Sequence, residues 1–346
     1  MQTRFDVKYV LAPLAGFTSA PFRLLCQRRG ADLTYTEMVS AAGIAHGSSP
    51  TRQLMELMPG EGPVACQLFG SKPDELAVTA AEAEKLNRFV EINLNAGCPM
   101  PKIVHEGAGA ALIRDPQLVH DCLVAIKRET HLPVTLKTRP GPRPDNVKLF
   151  ELLDAAETAG CAGFTLHGRF TSQLHGGPVH YDLLAELVQR AHIPITGNGG
   201  VYNPESAARM AETGVGAIMV GRAALANPWL FSDLRNPERA EVLEAPERRA
   251  ALQNAAFKDH LANLYAFREQ LARNFPNDHI PSVDGFISVI LHTHLFRYFN
   301  GRPGSAELRR RLTTIRTVAE IVEAVSSFLE AGDLAGGSAV PAPRTV

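Results

Sequence analysis

The sequence predicts an α/β fold: a (β/α)8 TIM barrel followed by a small C-terminal α-helical bundle. Three observations carry that reading. From Tyr9 to about Leu230 the 346-residue chain repeats one unit, a short apolar strand, a loop holding Gly, Pro, Asn or a charge, and an amphipathic helical stretch. Such alternation implies parallel strands joined by crossover helices. The unit recurs eight times in roughly 225 residues, the period of a closed barrel, whereas an open doubly wound sheet more often stops at five or six strands. Beyond Pro246 the alternation ends, and apolar residues recur at helical spacing instead.

The strands are expected at Tyr9 to Pro13, Leu33 to Thr36, Val64 to Phe69, Phe89 to Leu94, Val134 to Thr138, Gly163 to Leu166, Ile195 to Gly197 and Ala217 to Val220, each short and rich in Val, Ile or Leu. Helix starts stand at Ser71-Lys72-Pro73-Asp74-Glu75, Asp115-Pro116 and Asn203-Pro204-Glu205, each with Pro in the first turn. The polar, proline-bearing stretch from Asn236 to Pro246 marks the boundary. The barrel is therefore assigned to residues 1–240 and the helical domain to 245–330, where Leu261, Leu264, Tyr265, Phe267 and Leu271, then Leu308, Leu312, Ile315, Val318, Val322, Val325 and Leu329, fall at helical spacing. Residues 331–346, rich in Gly, Ala, Ser and Pro, read as a flexible tail.

Bulk properties narrow the function classes. A formal net charge of −1 argues against a chain coated in positive potential, so a nucleic-acid partner needs a local patch. The five cysteines, Cys26, Cys66, Cys98, Cys122 and Cys161, are scattered and form no C-x-x-C pair, which suggests neither a disulfide framework nor a zinc site and fits a cytoplasmic protein without metal. Met1 to Lys8 is charged with no apolar run behind it, and no stretch reaches the roughly 18 apolar residues that span a bilayer, so neither export nor membrane insertion is expected. A monomer is expected.

In a (β/α)8 barrel the active site lies at the C-terminal ends of the strands. Those ends carry Pro13-Leu14-Ala15-Gly16, Glu37-Met38, Gln67, Asn95 with Cys98, Lys137 with Arg139, His167 with Arg169, Asn198-Gly199-Gly200 and Gly221-Arg222. Each has a plain structural alternative: Cys98 a small buried hydrophobe, Lys137 a solvated strand end, His167 a satisfied core imidazole, Gln67 a backbone clamp. Together they resist that explanation, because an unpaired buried cation is expensive. Gly97 and Pro99 fix the backbone around Cys98, so its thiol is presented rather than packed. The loops Gly197 to Gly200 and Gly221-Arg222 fall where such barrels bind phosphate. Lys137 falls where a cation could meet a cofactor ring, and Gln67 where an amide could read its edge. Flavin mononucleotide (FMN) has one phosphate and one such ring; the absence of G-x-G-x-x-G disfavours a tightly held dinucleotide.

The chain resembles the tRNA-dihydrouridine synthases over nearly its whole length. The matching motifs are Leu11-Ala12-Pro13-Leu14-Ala15-Gly16-Phe17-Thr18 with Pro21-Phe22-Arg23; Gln67-Leu68-Phe69-Gly70; Asn93-Leu94-Asn95-Ala96-Gly97-Cys98-Pro99 with Lys102; Gly107-Ala108-Gly109-Ala110-Ala111-Leu112; Leu136-Lys137-Thr138-Arg139; His167-Gly168-Arg169; Asn198-Gly199; and Gly221-Arg222 through Trp229-Leu230. His294 to Gly301 followed by Arg309-Arg310-Arg311 is similar to the helical tRNA-binding domain of bacterial B-type members, whose target lies in the D loop. The resemblance implies NADPH as the co-substrate that reduces FMN, hydride transfer from FMN to C6 of a tRNA uridine, and Cys98 as the acid protonating C5, for a thiol near pKa 8.5 is still protonated at neutral pH. It implies Pro13, Leu14, Ala15, Gln67, Lys137, His167, Asn198, Gly199, Gly200, Gly221 and Arg222 around the cofactor. Asn95, Arg139, Arg169, Arg297, Arg309, Arg310 and Arg311 would face the RNA, though Arg139, His167 and Arg169 could each meet either the RNA phosphates or the FMN phosphate.

Some residues depart from the family pattern. Gly200 stands where members usually have Asp, removing a carboxylate that would brace the phosphate loop; Phe170 to Gly177 and Arg139-Pro140-Gly141-Pro142 also differ. Two rival readings stay open: an FMN barrel oxidoreductase acting on a small molecule, against which the appended basic helical domain speaks, and a tRNA-binding homologue that has lost turnover, against which Cys98, Asn95 and Lys137 together speak.

Overall fold

The computed structural model describes residues 7–238, 246–300 and 302–334. Nine parallel strands form one sheet: β1 (Tyr9–Leu11), β2 (Leu33–Tyr35), β3 (Val39–Ser40), β4 (Val64–Phe69), β5 (Glu91–Ala96), β6 (Val134–Thr138), β7 (Gly163–His167), β8 (Ile195–Asn198) and β9 (Ala217–Val220). They run in the order β2-β1-β9-β8-β7-β6-β5-β4-β3, and pairing of β2 with β4 closes the barrel. The ninth strand is not a ninth rung. β2 pairs the lower half of β4 (Thr34↔Val64, Tyr35↔Ala65) and β3 pairs its upper half (Val39↔Leu68, Ser40↔Phe69), so the second rung is one strand broken at Thr36-Glu37-Met38.

The largest departures from the expected strand bounds are in β1 and β5, while β2, β7 and β8 each end one residue away from expectation. β1 stops at Leu11, and β5 runs from Glu91 to Ala96, two residues later than its apolar content suggests. Polar Asn93 and Asn95 read as a strand ending, yet both are buried inside β5. Of the expected helix starts, Asp115 Oδ1 accepts from Leu118 N and Asn203 Oδ1 from Ser206 N, whereas the helix Pro73–Leu86 begins without a side-chain cap. The Ser71 hydroxyl instead donates to Glu106 O.

Alternation along each strand separates two apolar environments. Leu11, Cys66, Leu68, Ile92, Leu94, Leu136 and Leu166 join the large core between sheet and helices, while Val10, Ala12, Leu33, Tyr35, Ala65 and Met219 form a separate cluster on the inner faces of β9, β1, β2 and β4. The remaining inner arc is polar: Gln67, Glu91, Asn93, Asn95, Thr135, Thr165, His167, Thr196 and Asn198 are all buried. The interior thus has a greasy side and a wet-chemistry side, and the latter spans β4 to β8.

After the barrel come helices Pro246–Asn274, Val283–Tyr298, Ser305–Thr314 and Val318–Leu334. The last runs four residues into the expected tail, and residues 335–346 lie outside the described residues. The apolar spacing is largely core, Leu264, Phe267, Leu271, Leu308, Leu312 and Val325 being buried, but Tyr265 points outward. This domain docks on the barrel helix Ala20–Arg28 through Ala20, Leu24, Met58, Phe267 and Leu271. Gln270 and Asn274 donate to the Glu56 carboxylate, and Asn263 to Pro21 O.

Next to that interface Arg23 and Glu61 form a two-pronged ion pair, each side chain 1% exposed. Arg23 also donates to Thr18 O and Glu56 O, tying the β1 loop to the docking segment. Breaking a buried pair leaves one charge without compensation. Glu61→Ala is expected to lower unfolding free energy by about 3 kcal/mol, read as a shifted urea midpoint; a loss below about 1 kcal/mol would mean that the pair is not what holds this corner.

Candidate active site

The Cys98 turn is built from both sides. Asn95 Oδ1 accepts from Gly97 N and Cys98 N, each at 3.0 Å, and Cys98 O accepts from Ala110 N at 2.9 Å. The latter contact requires Gly109: at φ +58 a Cβ there would lie 2.7 Å from Cys98 O. With its amide and carbonyl both held, the half-exposed Cys98 is the one free cysteine that is not buried. Burial raises its thiol pKa, opposed by the Met100 backbone N–H and by the charges of Lys137 and Arg139. The thiol is therefore protonated at neutral pH.

Asn95 takes a different place from the one expected. Its Oδ1 serves the turn, and its Nδ2 donates to Gln67 Oε1 at 2.9 Å and contacts Met38 Sδ at 3.1 Å. The amide is engaged within the protein, so Asn95 braces Cys98 rather than reaching for a base. Arg139 is likewise engaged within the protein. Only 2% exposed, it donates from Nε to Gly97 O and from one terminal nitrogen to Arg169 O and Phe170 O, stapling the β5 loop to the β7 loop. No nucleic acid reaches a guanidinium buried to that degree.

The other strand ends do converge. Lys137 Nζ donates to Asn198 Oδ1 at 3.2 Å, and Asn198 Nδ2 to Met219 O at 2.8 Å. Burial, then the Arg139 charge, lowers the Lys137 ammonium to about 7. His167 lies under the same cations, and burial keeps its imidazole neutral. Arg169 Nε donates to Gly177 O, while a Cβ on Gly199 would sit 2.8 Å from the His167 ring and 3.4 Å from an Arg169 terminal nitrogen. Arg169 therefore belongs beside the Gly199-Gly200 loop, on the cofactor side. The Arg222 guanidinium donates to His175 O, and His175 stacks on His167 with ring centroids 6.2 Å apart. Nothing local in the sequence singles out His175.

Gly199 and Gly200 have φ of +113 and +71, and a Cβ at Gly200 would lie 2.9 Å from Val179. Glycine is what this backbone accepts, with Val179 and the Tyr181 hydroxyl occupying the space a side chain would need. Pro13, Leu14 and Ala15 follow β1, which pairs with β9, and are fixed by Leu14 N to Thr18 Oγ1 and by Gly16 N to the Glu37 carboxylate. Gly221 sits open, its nearest obstacle Ala12 at 3.7 Å.

Lys137, Arg139, Arg169 and Arg222 each have pKa values lowered by burial and by at least one cationic neighbour, with Arg297 as the neighbour of Arg222. Among the described residues no carboxylate contributes to the shifts of Lys137, Arg139 or Arg169. A mouth of like charges beside two left-handed glycines is a cradle for an anion, and it fits the phosphate and electron-rich ring of a flavin nucleotide. Arg297 lies on the rim, its guanidinium 4.8 Å from the Phe17 ring centre. Arg309, Arg310 and Arg311 are not brought there: Arg309 donates to Asn300, Arg310 pairs with Glu307, and Arg311 lies 3.8 Å from Glu323. His294, at first grouped with the basic residues, is fully buried between the domains against Phe22 and His260.

A closed parallel barrel with a cation-lined cofactor cradle and a poised thiol at its mouth defines an oxidoreductase of the flavin-barrel type. The family model described as Dihydrouridine synthase (Dus) matches residues 10–331. The tRNA-dihydrouridine synthase B of Pseudomonas aeruginosa is 36% identical over 75% of this chain and 78% of its own length, and that of Salmonella typhimurium 31% identical over 93% and 96%. Among solved structures, morphinone reductase matches more remotely, with a TM-score of 0.49 at 14% identity over 66% of this chain and 85% of its own. The chain belongs to the dihydrouridine synthase family.

Lys137 makes the mouth's electrostatics measurable. Its folded pKa of about 7 lies below its ordinary 10.5, so between those values the unfolded chain binds more protons and stability rises with pH. Lys137→Met is expected to be more stable than wild type near pH 6, with the gain shrinking as pH climbs from 7 towards 10.5. A gain independent of pH across that window would show that the ammonium is not under strain.

Proposed function

We propose that this protein reduces a uridine of tRNA to 5,6-dihydrouridine, with FMN in the barrel mouth and NADPH as the source of electrons. The observation that carries the reading is the braced Cys98 thiol standing beside Lys137 in a mouth lined by cations. The relatives named above are tRNA-dihydrouridine synthases, which supports tRNA as the substrate.

FMN would be held by the Pro13-Leu14-Ala15 rim, Gln67, Lys137, His167, Asn198, the Gly199-Gly200 loop, Gly221 and Arg222, with Arg169 added to that set. When bound, the flavin supplies the hydride that goes to uracil C6. The chain's own work is to hold the base and deliver a proton. Cys98 Sγ–H gives its proton to C5, and the thiolate left behind lies within the fields of Lys137 and Arg139, which favour the charged form. Lys137 steadies the negative charge developing on the uracil carbonyl as the 5,6 bond saturates. Neutral His167 holds a partner by hydrogen bonding without adding further charge.

A uridine inside folded tRNA must leave its stack to reach this depth. In this reading the barrel, residues 1–240, performs the chemistry and the helical domain, 245–330, positions the RNA, with Arg297 nearest the mouth. Arg310 and Arg311, already near acids, contribute less than sequence suggests. The protein acts as a monomer in the cytoplasm; among the described residues no helix is long and apolar enough to cross a membrane.

The purified protein is expected to be yellow and to oxidise NADPH in the presence of tRNA. Cys98→Ala should retain flavin yet form dihydrouridine on the order of 100-fold more slowly, as mapped in tRNA from cells carrying each form; normal turnover would return Cys98 to a structural part. Arg297→Ala should weaken tRNA binding and reduce the log–log salt slope by about one. Arg310→Ala should change both less, and the reverse order would move the RNA surface to the helix Ser305–Thr314.

A further inference from the structure

A hydrogen-bonded ladder runs through the barrel from its floor to the Cys98 turn. At the bottom the Glu91 carboxylate accepts from the Tyr35 hydroxyl at 2.7 Å and from the Thr135 hydroxyl. Thr135 Oγ1 accepts from Asn93 Nδ2 at 2.7 Å, Asn93 Oδ1 from Gln67 Nε2 at 2.7 Å, and Gln67 Oε1 from Asn95 Nδ2 at 2.9 Å. Asn95 Oδ1 then accepts the two backbone N–H groups of Gly97 and Cys98. Glu91, Asn93, Gln67 and Thr135 are at most 3% exposed.

The ladder has a direction. A carboxylate accepts, and backbone N–H groups can only donate, so both ends impose the same polarity. With those ends fixed, each of the three amides has one orientation that satisfies its neighbours; turning any one over sets donor against donor and acceptor against acceptor. We infer that Glu91 and Thr135 are positioning residues for Cys98, fixing from the barrel floor the amide orientation of Asn95 that holds the proton-donating turn. Neither approaches the mouth, and both act through side chains that do. The inference rests on the reading of Cys98 as the proton donor, but its test does not.

Cys98 is half-exposed and the other four cysteines are buried, so alkylation of the intact, full-length protein by iodoacetamide reads the Cys98 turn alone. Thr135→Val keeps the shape and removes the link between Asn93 and Glu91. It is expected to raise the Cys98 labelling rate roughly tenfold and to lower kcat with tRNA by a similar factor at unchanged KM. Thr135→Ser should restore both. Tyr35→Phe removes a hydrogen bond to Glu91 that lies off the ladder, and should leave labelling at the wild-type rate. If Thr135→Val does not fold, the near-isosteric Asn93→Leu breaks the same chain one step higher, with the same rise expected. Equal labelling of Thr135→Val and wild type, or equal effects of Thr135→Val and Tyr35→Phe, would overturn the inference. Altered labelling in a protein whose wild type forms no dihydrouridine would leave the positioning intact and remove the proposed reaction.

Discussion

An eight-runged barrel is just wide enough for its own side chains to fill, so a polar group on its inner face must find a partner on a neighbouring strand. That constraint organises this molecule. On β9, β1, β2 and β4 it is met by placing apolar residues inside; on β4 to β8 it is met mostly by pairing amides, hydroxyls and one carboxylate, the buried Thr165 hydroxyl being left without a partner among the described residues. The polar arc is contiguous, and its upper edge is the mouth. Fixed dipoles in a water-poor interior need no reorganisation when charge develops above them, the arrangement that electrostatic catalysis favours.

The mouth pursues the opposite policy. Four cations whose pKa values are lowered by burial and by one another's charge make a site that favours the arrival of an anion. Arg139 is tolerable there because three backbone carbonyls accept from it, a neutral solvation shell built from two loops. The charge that threatens the site thus also ties the Cys98 loop to the phosphate-side loop. Strain at Lys137 and order at Arg139 are two uses of the same residue class, separated by whether carbonyls lie in reach.

Much of this was legible in the sequence. Repetition gave eight rungs, the strand ends gave the residues of the mouth, and the Gly-rich loops after β8 and β9 gave the anion cradle. What escaped were the residues whose partners are distant in the chain. Asn95 and Arg139 looked like substrate groups because their type and position suit that role; only the fold reveals that Gly97, Gln67 and Phe170 engage them. Glu91 carried a visible signal, an acid in an otherwise apolar strand, but nothing local says that it meets Thr135 and Tyr35. Likewise the break in the second strand cannot be read from Thr36-Glu37-Met38, where the Glu37 carboxylate accepts from Gly16 N on another loop.

The helical domain shows why charge counts in sequence mislead. Arg309, Arg310 and Arg311 form the densest basic run in the chain, yet Asn300, Glu307 and Glu323 lie beside them. Arg297, isolated in sequence, sits on the Phe17 ring at the rim of the mouth with Arg222 as its electrostatic neighbour. A phosphate gains most from a cation whose field is not already cancelled, and near the site where the base must enter. Position relative to the mouth outweighs the number of charges. The buried contact of His294 with Phe22, and of Phe267 with Leu24, fixes that position by locking the helical domain to the first barrel helix. The placement of Arg297 therefore depends on an apolar interface and not on its charge alone.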